Sequence, residues 1–96
     1  MEYLIRRSDG EWFDLHADQY ADALRPSSMP SKPVEGWGDH RIEAGGVEIS
    51  FSDEDPGIQV TFEGDLPEEI ANSIVGEILA NITRVTGQQG RVIRLA

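Results

Sequence analysis

Apolar and polar residues alternate in two neighbouring stretches near the middle of the chain. An apolar residue occupies every second position in residues 47–52, and residues 58–63 show the same alternation. A period of two is typical of a strand that buries one face. Between the two stretches, residues 53–57 hold three carboxylates followed by Pro56 and Gly57, which favour a solvent-exposed reversal of the chain. The pattern predicts an antiparallel hairpin with one apolar face.

The apolar spacing then changes to that of a long amphipathic helix. Isoleucine recurs every four residues, which places one apolar stripe on a helix, at Ile70, Ile74, Ile78 and Ile82. We expect the helix to begin near Asp65 to Pro67; if Asp65 is the N-cap, Glu68 three residues later completes a capping box. Gly87 is expected to end the helix in the left-handed conformation. Gly76 weakens the helix by about 1 kcal/mol relative to alanine.

The remaining elements are shorter. Residues 91–95 predict a closing strand beside or near the hairpin, which gives a C-terminal β-β-α-β unit. Residues 2–7 are apolar on both sides and predict an interior strand. Residues 41–44 prolong the first hairpin strand towards the N-terminus, with a bulge or turn at Gly45 and Gly46 between the two segments. Residues 17–25 predict a short helix, residues 26–33 a loop rich in proline and serine, and residues 11–15 either a strand or a lead into that helix.

These elements predict the fold class. Ninety-six residues suit a single domain, residues 1–96, with one modest core. We predict an α+β fold in which an antiparallel or mixed sheet of four to five strands packs against one long amphipathic helix, with a short N-terminal helix in addition.

The charge balance narrows the class of partner. The chain has 18 acidic and 8 basic residues, a formal net charge of −10. Such a field repels nucleic acid and anionic lipid and attracts basic protein surfaces. Two interpretations stay open, because the charge either keeps a small protein soluble or recognises a basic partner. The absence of cysteine, of a long apolar run and of a leader-like N-terminus favours a cytoplasmic protein without disulfides or a membrane span.

The sequence contains few candidates for catalytic or metal-binding residues. His16 and His40 are the only histidines, and neither belongs to a metal motif. The acidic run 53–55 does not match the spacing of a calcium loop, and no serine lies in a nucleophile elbow. We therefore predict no catalytic residue, no bound metal and no cofactor, so the protein is not expected to be an enzyme.

The two tryptophans are candidates for binding. Trp12 lies in a strand-like stretch, which favours a core position. Trp37 is flanked by Gly36 and Gly38, and its position is consistent both with a core residue and with an exposed aromatic anchor for a partner.

The hairpin and the isoleucine-rich helix together resemble small bacterial immunity proteins. The resemblance spans residues 46–95, from the strand at Glu48 to Thr86 and Gly87. Proteins of this kind accompany polymorphic or contact-dependent toxins, and one such family is TriTu. The resemblance implies a non-enzymatic protein that binds a cognate toxin and blocks its active site or substrate access.

From charge and aromatic content, we place the expected contact with the basic partner on five residues: Trp37, Asp53, Glu54, Asp55 and Glu63. The alternative is a small adaptor or self-assembling module that uses a sheet edge or its helix.

Overall fold

The computed structural model describes residues 1–54 and 56–96, and in this part of the chain six antiparallel strands form one sheet. The strands are β1 (Glu2–Arg7), β2 (Ser31–Pro33), β3 (His40–Ala44), β4 (Val47–Glu54), β5 (Gly57–Glu63) and β6 (Gly90–Arg94). A 3₁₀ turn (Ala17–Gln19) leads into the short helix α1 (Tyr20–Ala23), and the long helix is α2 (Glu68–Thr86). The α+β class, the antiparallel sheet and the long and short helices are as predicted.

The strand order is β2-β3-β4-β5-β1-β6, so the prediction of four to five strands was too low. Residues 41–44 form a separate strand because Gly45 and Gly46, with φ angles of 62° and 81°, make a tight turn into β4. The predicted loop contains β2, an edge strand of three residues in which Pro33 is tolerated. Residues 11–15 form no strand.

β1 lies in the interior of the sheet, as its two apolar sides predict. It pairs with β5 on one side and with β6 on the other. The closing strand β6 is therefore one strand away from the β4–β5 hairpin, although β4, β5, α2 and β6 follow one another in the chain.

Helix α2 covers one face of the sheet with its isoleucine stripe. Ile74, Ile78 and Ile82 are inaccessible to solvent, whereas Ile70 in the first turn is 39% exposed. The helix begins after Pro67, within the predicted range, but Pro67 is the N-cap and makes no side-chain cap, so the capping box from Asp65 does not form. Gly87 ends the helix with a φ of 74°, as predicted.

The face of the sheet opposite α2 is called the open face below. Strand registers assign it the alternate side chains that do not contribute to the core under α2. These are Glu2, Leu4, Arg6, Lys32, Arg41, Glu43, Glu48, Ser50, Ser52, Glu54, Gln59, Thr61, Glu63, Arg91 and Ile93. Within the described residues, neither helix has the length and hydrophobicity needed to cross a lipid bilayer.

Candidate partner-binding site

Arg41 is the centre of a polar cluster on the open face. Its side chain is only 10% exposed, although it belongs to a surface of the sheet. The Nε donates a hydrogen bond to Oε1 of Glu48 at 2.8 Å, and the terminal nitrogens donate to the Ser50 hydroxyl and the Glu63 carboxylate. One guanidinium thus joins β3, β4 and β5 through charge-assisted hydrogen bonds.

Trp37 lies over this guanidinium. The Cζ of Arg41 is 5.7 Å from the centroid of the indole, a cation–π distance. The Nε1 of Trp37 donates a hydrogen bond to Oε1 of Glu63 at 3.2 Å. The indole is nevertheless 51% exposed. We call these four residues, Trp37, Arg41, Glu48 and Glu63, the Trp37 cluster.

The glycines on either side of Trp37 allow the loop to lie this close to the sheet. A Cβ on Gly36 would lie 2.5 Å from Cδ of Arg41, and one on Gly38 would lie 2.9 Å from the carbonyl oxygen of Phe51. Both glycines have positive φ angles, 156° and 102°, which side-chain-bearing residues rarely adopt. The Gly-Trp-Gly sequence therefore places the indole on Arg41.

The contacts within the Trp37 cluster favour the ionised forms of Glu63 and Arg41. The hydrogen bond from Trp37, and after it the Arg41 guanidinium, hold the pKa of Glu63 below its ordinary value. The hydrogen bond to Glu48, and after it the contacts with Glu63, raise the pKa of Arg41. In register beside these residues lies Glu43, so three carboxylates follow one another across β3, β4 and β5.

A second acidic group lies at the opposite end of β4. The backbone N–H of Asp53 donates to Oδ2 of Asp39 at 2.7 Å. Partial burial, and after it the charge of Asp39, raise the pKa of Asp53. Burial and the charges of both aspartates also raise the pKa of Tyr20. Among residues 1–54 and 56–96, no ion pair includes Asp39, Asp53 or Glu54.

The structure divides the predicted contact residues into two groups. Trp37 and Glu63 touch one another. Asp53 lies five positions along β4 from Glu48, the register partner of Glu63, which is about 17 Å at roughly 3.4 Å per residue, and Glu54 lies one position further. Strand alternation gives Glu54 to the open face and Asp53 to the face of α2. Asp55 lies outside the described residues.

Sequence reasoning missed Arg41 and Asp39 as members of these groups. The position of Arg41 in β3, opposite Ser50 of β4 in the register, places it on the polar side of the sheet. That side would have been recognisable if residues 40–44 had been assigned as a strand of their own. Asp39 joins the second group because its carboxylate accepts a hydrogen bond from the backbone N–H of Asp53, and no sequence pattern predicts that contact.

Trp12 differs from expectation, and the two histidines lie in different environments. Trp12 is 47% exposed, because residues 11–15 form no strand and Phe13 takes the buried position instead. His16 is a surface residue 3.3 Å from Asp14. His40 is half-buried between the rings of Tyr20 and Phe51, and burial lowers its pKa. The described residues contain no group of three metal-binding side chains.

In comparisons with known proteins, no protein-family model, curated protein or solved structure matches the chain.

Proposed function

We propose that this protein is a non-enzymatic immunity or inhibitor protein, which binds a cognate bacterial toxin through an acidic surface and so neutralises it. The proposal extends the resemblance of residues 46–95 to small immunity proteins. The observation that carries it is Trp37, a large aromatic side chain that is half exposed and yet held in one position by Arg41 and Glu63.

An exposed tryptophan whose position is fixed by neighbouring side chains is well suited to anchor a binding partner. Aromatic residues dominate the energetics of many protein interfaces because they bury a large area with few rotatable bonds. An anchor that is already ordered loses little conformational entropy on binding. The cation–π contact and the hydrogen bond to Glu63 supply that order before a partner arrives.

The carboxylates around the anchor suit a basic partner. Toxins that act on nucleic acid need cationic clefts, and a rigid acidic surface competes with phosphate for such a cleft. Glu43, Glu48 and Glu63 form a row across three strands, and all three carboxylates are partly exposed. Opposite charge accelerates the encounter, and burial of the indole slows dissociation.

The second acidic group supports the same kind of partner. Asp39 and Asp53 are close enough for the charge of one to raise the pKa of the other. Repulsion of this kind lowers the stability of the free protein, and a lysine or arginine of a partner would relieve it. Crowded groups with perturbed pKa values are more frequent at functional sites than elsewhere.

Binding is tested first at Trp37. The toxin domain is taken from the reading frame immediately upstream of this one and is co-expressed with the chain. We expect wild-type protein to restore growth and Trp37→Ala to weaken the complex at least tenfold, a difference of about 1.4 kcal/mol. Trp12→Ala is the matched control, since Trp12 is equally large and nearly equally exposed. Equal binding by both variants, or no protection by wild-type protein, would overturn the proposal.

The acidic contribution is tested by neutralisation. We expect the triple change Asp53→Asn, Glu54→Gln and Glu63→Gln to slow association and to reduce its dependence on salt. The control neutralises Glu11, Asp18 and Asp22, three exposed acids outside both groups. A complex insensitive to salt would contradict charge recognition. Size-exclusion chromatography with light scattering addresses the self-assembling alternative, which predicts a stable homo-oligomer without any toxin.

A further inference from the structure

The two edge strands of the sheet, β2 and β6, differ in how well they are protected against pairing with another strand. β2 has three residues, carries Lys32 and ends at Pro33, which are devices that prevent another strand from adding. β6 has five residues without proline, from Gly90 to Arg94, and Val92 and the following Leu95 are exposed. The β6 edge thus has the features of a strand that accepts a partner strand.

The hydrogen bonds at both ends of β6 show which of its backbone groups point outwards. The N–H of Ser8 donates to the carbonyl of Gln89 at 2.9 Å, and the N–H of Leu95 donates to the carbonyl of Glu2 at 2.8 Å. Antiparallel pairing alternates between bonded and non-bonded positions. Gly90, Val92 and Arg94 therefore direct their N–H and C=O groups away from β1.

Two arginines face one another beside this edge. Arg6 of β1 and Arg91 of β6 are direct register partners on the open face, and like charges at such positions are destabilising. None of the ion pairs formed within residues 1–54 and 56–96 includes either residue. The Nε of Arg6 is buried without a hydrogen-bond acceptor, which adds a desolvation penalty.

The basic character of this region contrasts with the rest of the chain. The chain has only 8 lysines and arginines, and four of them lie on β1 and β6: Arg6, Arg7, Arg91 and Arg94. Arg7 pairs with Asp9 and Arg94 pairs with Glu68, so the charges of Arg6 and Arg91 are the ones on these strands that no ion pair among the described residues offsets. Arginines that only guarded the edge against aggregation would need to reach solvent. Arg6 lies on the interior strand β1 and not on the edge, so it does not serve that purpose. A carboxylate added beside Arg91 would offset the repulsion between the two arginines.

We propose that the free edge of β6 binds an extended segment of a partner protein in which acidic and apolar residues alternate. The segment adds as a further strand through the outward groups of Val92 and its neighbours. Its carboxylates lie on the open face against Arg91 and Arg6, and its apolar residues lie beside Val92. A second copy of β6 is not complementary, because it would bring a second set of arginines to the same edge.

This surface is distinct from the Trp37 cluster, since β1 separates β6 from β5 in the sheet. The probe is a capped peptide of about six residues, the usual length of a strand, in which glutamate and valine alternate. It is titrated into the full chain at low salt while backbone amide resonances are recorded. We expect saturable shifts at Gly90, Val92 and Arg94, and none when lysine replaces glutamate in the peptide.

Two variants separate the contribution of backbone hydrogen bonds to peptide binding from the contribution of charge. Val92→Pro removes a backbone N–H that points away from β1, so no hydrogen bond to β1 is lost, and it should abolish the peptide-induced shifts of the amide resonances. Arg91→Glu should weaken binding at least roughly tenfold, whereas Arg84→Glu, which changes the charge equally on α2, should not. The proposal is overturned if wild-type protein shows no shifts at millimolar peptide, if the lysine peptide binds equally, or if Arg91→Glu binds as well as wild type. It is also overturned if dilution without peptide shows that a second copy already pairs with β6.

Discussion

The indole Nε1 of Trp37 donates a hydrogen bond to Oε1 of Glu63 at 3.2 Å, and this bond joins residues 26 positions apart. It connects the loop before β3 to the last residue of β5. Trp37, followed by Arg41, lowers the pKa of Glu63 because both donate to the ionised carboxylate. The position of the exposed indole is therefore linked to the protonation of one glutamate.

This linkage predicts an acid transition in tryptophan fluorescence. A group with a lowered pKa in the folded state contributes stability above its unfolded pKa and loses it as the pH falls through the folded pKa. In a Trp12→Phe background, where Trp37 is the remaining tryptophan, we expect its emission to change below the ordinary pKa of glutamate. Adding Glu63→Gln should remove that transition. An identical titration in both proteins would show that Glu63 does not control the indole.

A second prediction concerns the loop that carries Trp37. Gly36→Ala should displace the indole, because the added Cβ would lie 2.5 Å from Cδ of Arg41. We expect a red-shifted Trp37 emission and a loss of roughly 1–3 kcal/mol from the unusual φ angle, measured by urea unfolding.

Gly46→Ala is the control for this change. Gly46 also has a positive φ, 81°, but a Cβ there would meet nothing within 4 Å. It should lose stability, by about 1–2 kcal/mol, while the Trp37 emission stays as in the wild type. An unchanged emission in Gly36→Ala would mean that Gly36 does not determine the position of the indole.

The fold was predictable where local pattern and tertiary packing agree. The period of two in β4 and β5 and the isoleucine spacing of α2 reflect the same buried face, so both were recoverable from sequence. β2 was not, because three residues ending at Pro33 have no periodicity and pair only through their neighbour β3. Trp12 was misplaced because its burial depended on a strand that does not form.

The candidate site was predictable only in part, for a related reason. Trp37 and Glu63 were both chosen from sequence, but their contact depends on the register between β3, β4 and β5. Arg41 links them, and its side chain is assigned to the open face only once β3 is recognised. Charge composition indicated a class of partner, whereas tertiary pairing determines which carboxylates meet.

A third prediction tests the burial of the isoleucine stripe. Ile78→Ala removes side-chain atoms from a position without solvent access, and we expect a loss of about 2–5 kcal/mol through lost transfer energy and a cavity. Ile70→Ala changes the same residue type at a 39% exposed position and should lose less than about 1 kcal/mol. Urea unfolding of the two variants measures the difference, and equal losses would contradict the packing of α2 on the sheet.

A fourth prediction concerns Gly76 in the middle of α2. A Cβ at this position would meet nothing within 4 Å, and φ is not positive. Gly76→Ala should therefore stabilise the protein by about 0.5–1 kcal/mol, since alanine restricts the unfolded chain and favours the helix. The gain should appear as a higher urea midpoint with an unchanged slope. A destabilised variant would mean that Gly76 has a packing role.

The last prediction concerns Asp53, whose pKa is raised by burial and by Asp39. A carboxyl with a raised folded pKa favours folding below its unfolded pKa, and this contribution is lost as the pH rises through the folded pKa. Asp53→Asn removes the charge that is unfavourable at neutral pH. We expect a higher urea midpoint than wild type at neutral pH, with the difference disappearing in acid.

Asp18→Asn is the control for net charge, since Asp18 is exposed in the turn before α1. It should leave the midpoint nearly unchanged at both pH values. If Asp53 contacts a basic partner as proposed, the variant that is more stable alone should also bind the toxin more weakly, because the same charge that opposes folding attracts the partner. A variant that is both more stable and fully able to bind would remove Asp53 from the contact surface.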